Sequence, residues 1–461
     1  MYEDEDLGYE GNVGAPSQPA QAQPDMPHDP NRKMLDLVFV QDCTGSQGSY
    51  ISSATRNIEE ICAHIFHSGK LQQPEDLRVG LVAYRDHPPQ DHTWVFKNFG
   101  FTSDISKVRQ DLSSLYATGG GDGPEAVTAG LYQALTMDWR QHATKMVVLI
   151  ADAPPHGIGE YGDGFDDGSP DGHDPLQIAR EMALRGITLF FVACEPALSG
   201  YSYATDFFKA LTSITSGLML PLTTADLLAH AIVASVLENL DMDRLINEVG
   251  QAVAQRILGA NESVDDVAKE LHERLLLRNE STKKVVFESI YRESEDAAHN
   301  VQVFMNAASI QEARPHLRKV RGTRFTEKYL QARLHGTYSS YSPSTTSRST
   351  AVAAVSATPP SSPPRGSGSP ARKVVQEFGA FKAPSNVSVM GTAVQKTPFS
   401  LAGNKASFGA MRSNVASSFD DDDDDDDDGL SRPAIDLRED SISLDQAKRI
   451  ALQSAWRGMR S

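Results

Sequence analysis

Three clusters of residues carry oxygen atoms that can bind a cation. The first is Asp42-Cys43-Thr44-Gly45-Ser46, the second is the glycine-rich stretch 119–125, and the third begins at Asp152. In the first cluster an acid and two hydroxyls occupy alternate positions, and alternate positions in an extended loop project to one side. Donor sets made of oxygen alone suit a hard cation such as Mg²⁺. The residue types therefore predict a cation site, provided that the fold brings the clusters together.

The elements between these clusters predict how they meet. Continuous apolar runs without alternation are typical of strands buried on both faces, and amphipathic stretches of helical period lie between and after them. This order predicts an α/β fold with a doubly wound, mostly parallel sheet, which binds ligands at the carboxyl ends of its strands. The predicted strands are 34–40, 79–84, 145–151 and 187–193, and the predicted helices are 50–67, 104–115, 125–138, 175–185, 203–214 and 225–240.

The three clusters, in this order, resemble the metal-ion-dependent adhesion site of the von Willebrand factor A domain. The family pattern is Asp-x-Ser-x-Ser, and this chain has Asp42-x-Thr44-x-Ser46, which keeps every hydroxyl. The segment GGGDGPE (119–125) is similar to that of hemicentin-like and alpha-kinase-associated A domains and to the Asp-x-Pro-Glu loop of integrin beta subunits. The resemblance covers roughly residues 34–240.

The resemblance implies a set of metal ligands and a way of using them. It implies that Mg²⁺, or Mn²⁺ or Ca²⁺ in its place, keeps an open position that an Asp or Glu of a partner protein completes. It also implies a neighbouring cation near Asp122 and the carbonyl of Pro124. Thr118 is an alternative to Glu125 as the oxygen ligand that this loop supplies. The implied metal ligands are Asp42, Thr44, Ser46, Glu125 and Asp152.

Some of these residues have a simpler interpretation. Asp and Ser cap helices at many strand-to-helix turns, so each residue alone would be explained without a metal. His156 is either a further metal ligand or a histidine that stabilises its loop. The loop 159–174 is acidic, and we expect three of its residues to line the partner-binding rim together with His156: Asp163, Asp166 and Asp167.

Part of that loop has the composition of a calcium site. Asp167 to Gly172 partly matches the start of an EF-hand, but Ile178 stands where that motif needs a bidentate Glu. We therefore predict a solvated loop in which Asp174 caps the next helix.

Composition divides the chain into parts that we expect to fold and parts that we expect to be disordered. Segments rich in Ser, Pro, Gly or acids are too poor in apolar residues to offset the entropy of ordering. Ser263 followed by Asp266 resembles a capping box at the start of a helix. The predicted parts are a disordered acidic tail (1–31), an A domain (32–240), a helical extension (241–335), a disordered linker (336–440) containing the Asp run 420–428, and a short C-terminal helix (441–461).

The distribution of charge argues against nucleic-acid binding, and the N-terminal sequence favours a cytoplasmic protein. The formal net charge is -18, most of it in the acidic tail and the Asp run. Seven bases between Arg314 and Arg333 form a patch for an anionic partner, a solvated helix face or a contact with the chain's own Asp run. The start MYEDEDLGYE lacks the pattern of a signal peptide, no run of 18 apolar residues occurs, and the three cysteines are expected to be reduced.

The C-terminal half carries two regulatory signals. Leu452, Gln453, Trp456 and Arg457 resemble the front of an IQ calmodulin-binding motif, although a short helix that docks on the surface or frays explains them equally. Three Ser-Pro or Thr-Pro sites fit proline-directed kinases, namely Ser362, Ser369 and Thr397.

Taken together, the sequence predicts a non-catalytic, divalent-metal-dependent module that binds a partner protein. It has no phosphate-binding loop with its lysine and no set of nucleophile, base and oxyanion donors. The alternatives are a regulatory, non-catalytic relative or subunit of an alpha-kinase type signalling system and a calmodulin-regulated scaffold. The identity of the protein partner does not follow from the residues.

Overall fold

A six-stranded sheet forms the centre of the protein in the computed structural model, which describes residues 32–334 and 435–460. The strands are β1 (Leu35–Asp42), β2 (Leu77–Tyr84), β3 (Phe96–Thr102), β4 (Thr144–Ala151), β5 (Ile187–Cys194) and β6 (Met219–Leu222). Their order across the sheet is β3-β2-β1-β4-β5-β6, and every neighbouring pair is parallel except β2 and β3. The carboxyl ends of the parallel strands meet at one edge, and the predicted α/β fold with a mostly parallel sheet is confirmed.

Two strands of this sheet, β3 and β6, were not predicted, because neither contains a long apolar run. The four apolar runs form β1, β2, β4 and β5, in which nearly every residue is buried. By contrast, β3 is an edge strand whose residues are exposed or half-buried, so its sequence has no apolar run. β6 has only four residues, too few for a recognisable pattern.

Helices cover both faces of the sheet. They are α1 (Gly48–His67), α2 (Ile105–Ser113), α3 (Val127–Leu135), α4 (Pro175–Leu184), α5 (Ala204–Ile214) and α6 (Leu228–Ala254). One face is covered by α1, α2 and α6, and the other by α3, α4 and α5. On α1, Ile58, Ile61 and Ile65 are at most 1% exposed. Because burial of one such side chain contributes about 1.5–3 kcal/mol, packing on the sheet holds these helices in place.

The extension beyond the sheet contains α7 (Val264–Leu277), β7 (Ser281–Phe287), α8 (Glu295–Asn306), α9 (Ile310–Ala313) and α10 (Glu327–Leu334). Ser263 caps α7 by accepting the Asp266 N–H, which agrees with the predicted cap. α6 runs through residue 240 without a break, so the boundary that we placed there lies inside a helix. The extension that we described as helical also contains a strand, β7.

The C-terminal residues return to this extension. β8 (Ile435–Ser441) pairs with β7 in antiparallel register, and α11 (Leu444–Arg460) packs on α6 and α7. Residues 435–440, which we assigned to the disordered linker, are therefore part of a strand. Their sequence is rich in charged residues and has no apolar run, so it did not predict a strand. Pairing with β7 orders these residues. The predicted terminal helix is docked, with Ile450 and Ala451 buried.

Several predictions concern residues that the structure does not describe. The acidic tail 1–31, the Asp run and the kinase sites Ser362, Ser369 and Thr397 all lie outside the described residues. Within the described ranges no helix combines the length and apolar character needed to cross a membrane. Cys43, Cys62 and Cys194 are buried and free, as predicted.

Candidate metal centre

The loop after β1 presents its oxygen atoms at different depths. Asp42 is fully buried at the end of β1, and its Oδ1 accepts hydrogen bonds from the Thr44 N–H (2.8 Å) and hydroxyl (2.6 Å). Thr44 is also buried, whereas Ser46 is exposed on a single turn of 3-10 helix. The predicted alternation thus gives one carboxylate below and two hydroxyls nearer to solvent.

The glycine-rich loop allows Glu125 to approach these residues. Gly119 and Gly120 both have positive φ, at 85° and 80°. A Cβ on Gly120 would lie 2.5 Å from Glu125 Oε1 and 3.5 Å from the Cβ of Thr44, so only glycine leaves room for the carboxylate there. The Glu125 N–H donates to the carbonyl of Pro154, which joins this loop to the segment after β4.

Asp152, directly after β4, adds a third carboxylate at the edge of the sheet where the parallel strands end. It is 8% exposed and, with Thr44, Ser46 and Glu125, lines a cavity of about 480 Å³. Small residues form most of the remaining wall, and the ring of Tyr201 closes one side. The full lining is Thr44, Gly45, Ser46, Gly119, Gly120, Asp122, Gly123, Glu125, Asp152, Ala153, Ala197, Gly200 and Tyr201.

Within residues 32–334 and 435–460, no cationic side chain forms an ion pair with Asp42, Glu125 or Asp152. Burial, followed by the negative charge of Asp152, raises the pKa of Asp42 to about 7, although hydrogen bonds from Thr44 and the nearby Tyr84 hydroxyl oppose the shift. Burial and the charges of Asp42, Asp86, Asp122 and Asp152 raise the pKa of Glu125 to about 11. Among the described residues, Asp42 Oδ2 and Glu125 Oε2 are buried and have no hydrogen-bond partner. Buried oxygens without partners fit a divalent cation, because it would neutralise the acids and use those oxygens as ligands.

His156 lies between two carboxylates. Its Nδ1 is 2.7 Å from Asp163 Oδ1, its Nε2 is 2.7 Å from Asp86 Oδ1, and its ring is buried. Burial alone would lower the pKa of His156, but the hydrogen bonds to Asp163 and Asp86 raise it to about 9. His156 and Asp163 were both predicted to lie on the rim. Instead their side chains are 1% and 0% exposed, because each satisfies the other's charge.

Asp86 is a residue of this edge that our sequence analysis missed. It follows β2, which is buried except at Arg78 and runs parallel to β1, so an acid at this position reaches the same edge as Asp42 and Asp152. The signal was present as Arg85-Asp86-His87 directly after the predicted strand 79–84.

The remaining predicted residues have varied surroundings. Asp122 lines the cavity and accepts the Gly164 N–H, whereas Thr118 is exposed and does not line the cavity. Asp166 and Asp167 are exposed, as a rim requires. Their carbonyls accept hydrogen bonds from Arg314 and Gln311, so the extension supports this loop.

Two further loop residues were assigned from the sequence. Pro124 is buried beside Glu125, within the glycine-rich loop. Asp174 caps α4 by accepting the Leu176 and Gln177 N–H groups, as predicted.

Two predicted interaction segments are partly engaged within the chain. In the basic segment, Arg324 forms a buried ion pair with Asp206, and Lys328 pairs with Glu288. In α11, Gln453 is buried, Leu452 and Trp456 are half-buried, and Arg457 pairs with Asp243.

Comparison with known proteins places the central part of the chain. Residues 36–218 match the family model of the von Willebrand factor type A domain. The alpha-protein kinase vwkA of Dictyostelium discoideum is 33% identical over 162 residues, which is 34% of this chain and 25% of the kinase. A putative ariadne-like RING finger protein, R811, of Acanthamoeba polyphaga mimivirus is 27% identical over 239 residues, or 50% of this chain and 22% of that protein. The chain thus matches about a quarter of the length of these relatives.

Two solved structures match part of the chain at low identity. The open conformation of the pilus adhesin SpaC from Lactobacillus rhamnosus GG has 15% identity and a TM-score of 0.35, over 46% of this chain and 30% of the adhesin. Proximal thread matrix protein 1 from the mussel byssus, in its second crystal form, has 12% identity and a TM-score of 0.31, over 44% and 48%.

Proposed function

Residues 36–218 form a von Willebrand factor type A domain, and from this premise we propose that the chain is a divalent-metal-dependent module that binds a protein partner. Domains of this family are typically protein-interaction modules. The cation that we propose is Mg²⁺, with Mn²⁺ or Ca²⁺ as substitutes. Its ligands would be Asp42, Thr44, Ser46, Glu125 and Asp152.

The observation that carries this proposal is the pair of buried oxygens without partners, Asp42 Oδ2 and Glu125 Oε2. Leaving such groups unsatisfied costs about 1–3 kcal/mol each, and more when they are charged. A bound cation would remove that cost. It would also supply a positive charge at the base of an open cavity, which is the chemistry needed to capture an acidic side chain.

The cavity indicates the kind of partner. Its volume of about 480 Å³ exceeds that of one Asp or Glu side chain, so it would also admit the flanking main chain of the partner. The wall is mostly glycine and alanine, which allows close approach of backbone. We therefore propose an exposed loop or extended segment with an Asp or Glu as the ligand. The exposed Asp166 and Asp167 would lie beside it as hydrogen-bond acceptors.

The likeness to a named kinase covers only 25% of that protein and does not carry a catalytic role over to this chain. The identity with alpha-protein kinase vwkA is limited to 162 residues, so it supports a shared A domain and leaves participation in a kinase pathway as an alternative proposal. Calmodulin binding by α11 is a further alternative. It would require the helix to leave its site, since Gln453 is buried and Arg457 is paired.

The test is capture of partners from a cell lysate in Mg²⁺ and in EDTA, read by mass spectrometry. Two variants, Glu125→Gln and Asp152→Asn, remove charge from the centre with little change of shape. Asp138→Asn is the matched control, because its side chain is fully exposed. We expect a set of proteins that EDTA and both centre variants release and that the control variant retains. Proteins retained unchanged in EDTA and in both variants would rule the proposal out.

A further inference from the structure

One loop of the extension carries positive charges that lack acidic partners. This basic loop (314–324) lies between α9 and α10. Its residues Arg318, Lys319 and Arg321 are exposed. Arg292, also exposed, lies against the loop and donates to the carbonyl of Arg321 at 2.7 Å. In the part of the chain that the structure describes, none of these four cations forms an ion pair, although the formal net charge of the whole chain is -18. A cluster of cations without neighbouring acids favours an anionic partner.

Residues of α8 hold the main chain of the basic loop in place. Asn300 is fully buried, and its side chain accepts the N–H of Arg318 and donates to the carbonyl of Arg318, each at 2.8 Å. His299 Nε2 lies 3.0 Å from the carbonyl oxygen of His316. Because these main-chain groups are bonded to α8, the loop is ordered before a partner arrives. Binding to an ordered loop costs less entropy than binding that must first fix its shape.

Both ends of the basic loop contact the loops around the cavity. At one end, Arg314 donates to the carbonyl of Asp166, which we place on the rim. At the other end, Arg324 donates to the carbonyl of Ser202. Ser202 directly follows Tyr201, which lines the cavity. The basic loop is therefore continuous with the surface around the proposed metal centre, so a single partner can contact both.

We propose that the basic loop binds an acidic segment of the protein partner, one with several Asp or Glu side chains beside the acid that the metal would hold. The choice of a protein as the partner rests on the proposed function, whereas the charge of the loop does not. Three of the four cations are arginines, whose planar guanidinium groups pair with carboxylates through two parallel hydrogen bonds. The family model ends at residue 218, so this surface lies outside the matched domain.

A nucleic acid fits this surface less well than an acidic segment. Double-stranded DNA carries one negative charge per about 1.7 Å of its length. Such a ligand extends beyond the basic loop and would be repelled by the rest of a chain whose formal net charge is -18. A short acidic segment can place its charges on the loop alone.

The test measures binding of a labelled oligoglutamate to the full chain by fluorescence anisotropy. A peptide of about ten glutamates spans about 30 Å when extended. The first titration is made in EDTA, so that no metal contributes. We expect the oligoglutamate to bind and its affinity to fall as salt is added, because salt screens exposed charges. An oligoglutamine of the same length is the uncharged control and should not bind.

Two variants with the same change of net charge locate the binding surface. The variant of the basic loop carries Arg318→Gln, Lys319→Gln and Arg321→Gln. The matched control replaces exposed cations of α1 and α7, with Arg56→Gln, Lys269→Gln and Arg274→Gln. Exposed ion pairs contribute little to folding, so both variants should fold. We expect the loop variant to bind oligoglutamate about tenfold more weakly or worse, and the control to bind like the wild type.

A second titration, in Mg²⁺ at the same ionic strength, separates this proposal from the first one. Mg²⁺ should tighten the binding of oligoglutamate to the wild type, and Asp152→Asn should remove that gain while keeping the affinity measured in EDTA. Binding in EDTA without any gain from Mg²⁺ would support the basic loop and count against the metal-dependent capture. Three results would overturn the proposal: no binding in EDTA, equal affinities of the loop and control variants, or tighter binding of a single-stranded DNA that carries the same number of charges.

Discussion

At the scale of single residues, Asp42 shows how one acid can link folding and binding. It is fully buried, and its Oδ1 is held by Thr44 while its Oδ2 has no partner in the described structure. Burial raises its pKa to about 7. Without a cation, folding therefore strengthens proton binding by Asp42, whereas metal binding requires the carboxylate.

This shift predicts how the metal-free protein responds to pH. The pKa of Asp42 is raised from 3.8 to about 7, so stability from this group is fully present below about pH 3.8 and is lost as pH rises through about 7. In EDTA, raising the pH from about 5 to about 8 should therefore lower the melting temperature of the wild type by several degrees more than that of Asp42→Asn. Thermal unfolding followed by circular dichroism measures the difference. Equal pH dependence in both proteins would show that Asp42 is not buried in this way.

Gly120 provides a test of the close approach of Glu125. Gly120→Ala would place a Cβ 2.5 Å from Glu125 Oε1 at a φ of 80°, so the carboxylate must move. Gly162→Ala is the matched control, since its φ is 82° and nothing lies within 4 Å of the added carbon. Both variants should lose about 1–2 kcal/mol of stability from backbone strain.

Only Gly120→Ala should bind Mg²⁺ more weakly, by about tenfold or more, because it disturbs the placement of a ligand. Isothermal titration calorimetry measures both affinities. An equal loss of affinity in the two variants would mean that strain, and not the position of Glu125, accounts for the effect.

At the scale of elements, buried parallel strands made most of the site predictable. The sequences of β1 and β4 are apolar runs, which made both strands predictable. Asp42 ends β1 and Asp152 follows β4, so both lie at the edge where the parallel strands end. Asp86 follows from the same rule applied to β2, but it belongs to none of the three clusters that resemble the adhesion site. The inward turn of Asp163 was not predictable, since it depends on a hydrogen bond to a histidine seven residues earlier.

One buried ion pair joins α11 to α6, in addition to the apolar packing between them. Arg449 Nη1 donates to Glu238 Oε1 at 2.5 Å, and Arg449 Nε donates to the carbonyl of Ser216 at 2.9 Å. Arg449→Ala would leave Glu238 charged and buried, which typically costs about 3–5 kcal/mol. Urea unfolding should show a loss of this size.

A surface ion pair in the neighbouring strand β8 gives the control. Arg438→Ala removes an exposed pair with Asp436, which is worth about 0–1 kcal/mol. If Arg449→Ala were as stable as Arg438→Ala, α11 would not be docked through Glu238.

At the scale of the whole molecule, the packed structure continues through residue 240, where we placed the end of the A domain. α6 continues to Ala254, and its later turns pack against α7 and α11, where Leu245 and Val253 are buried. The last residues of the chain thereby belong to the same core as residues that precede them by about two hundred positions. Local periodicity predicted the separate helices, but it contains no information on such distant contacts or on the pairing of β7 with β8.

The central claim is that loops far apart in the sequence hold one divalent cation at the edge of the sheet. Anomalous diffraction from crystals grown with Mn²⁺ tests it most directly. The account predicts a manganese peak bounded by the oxygens of Asp42, Thr44, Ser46, Glu125 and Asp152. Crystals that contain Mn²⁺ but show no peak there, with Asp42 Oδ2 and Glu125 Oε2 bonded to protein groups instead, would contradict it.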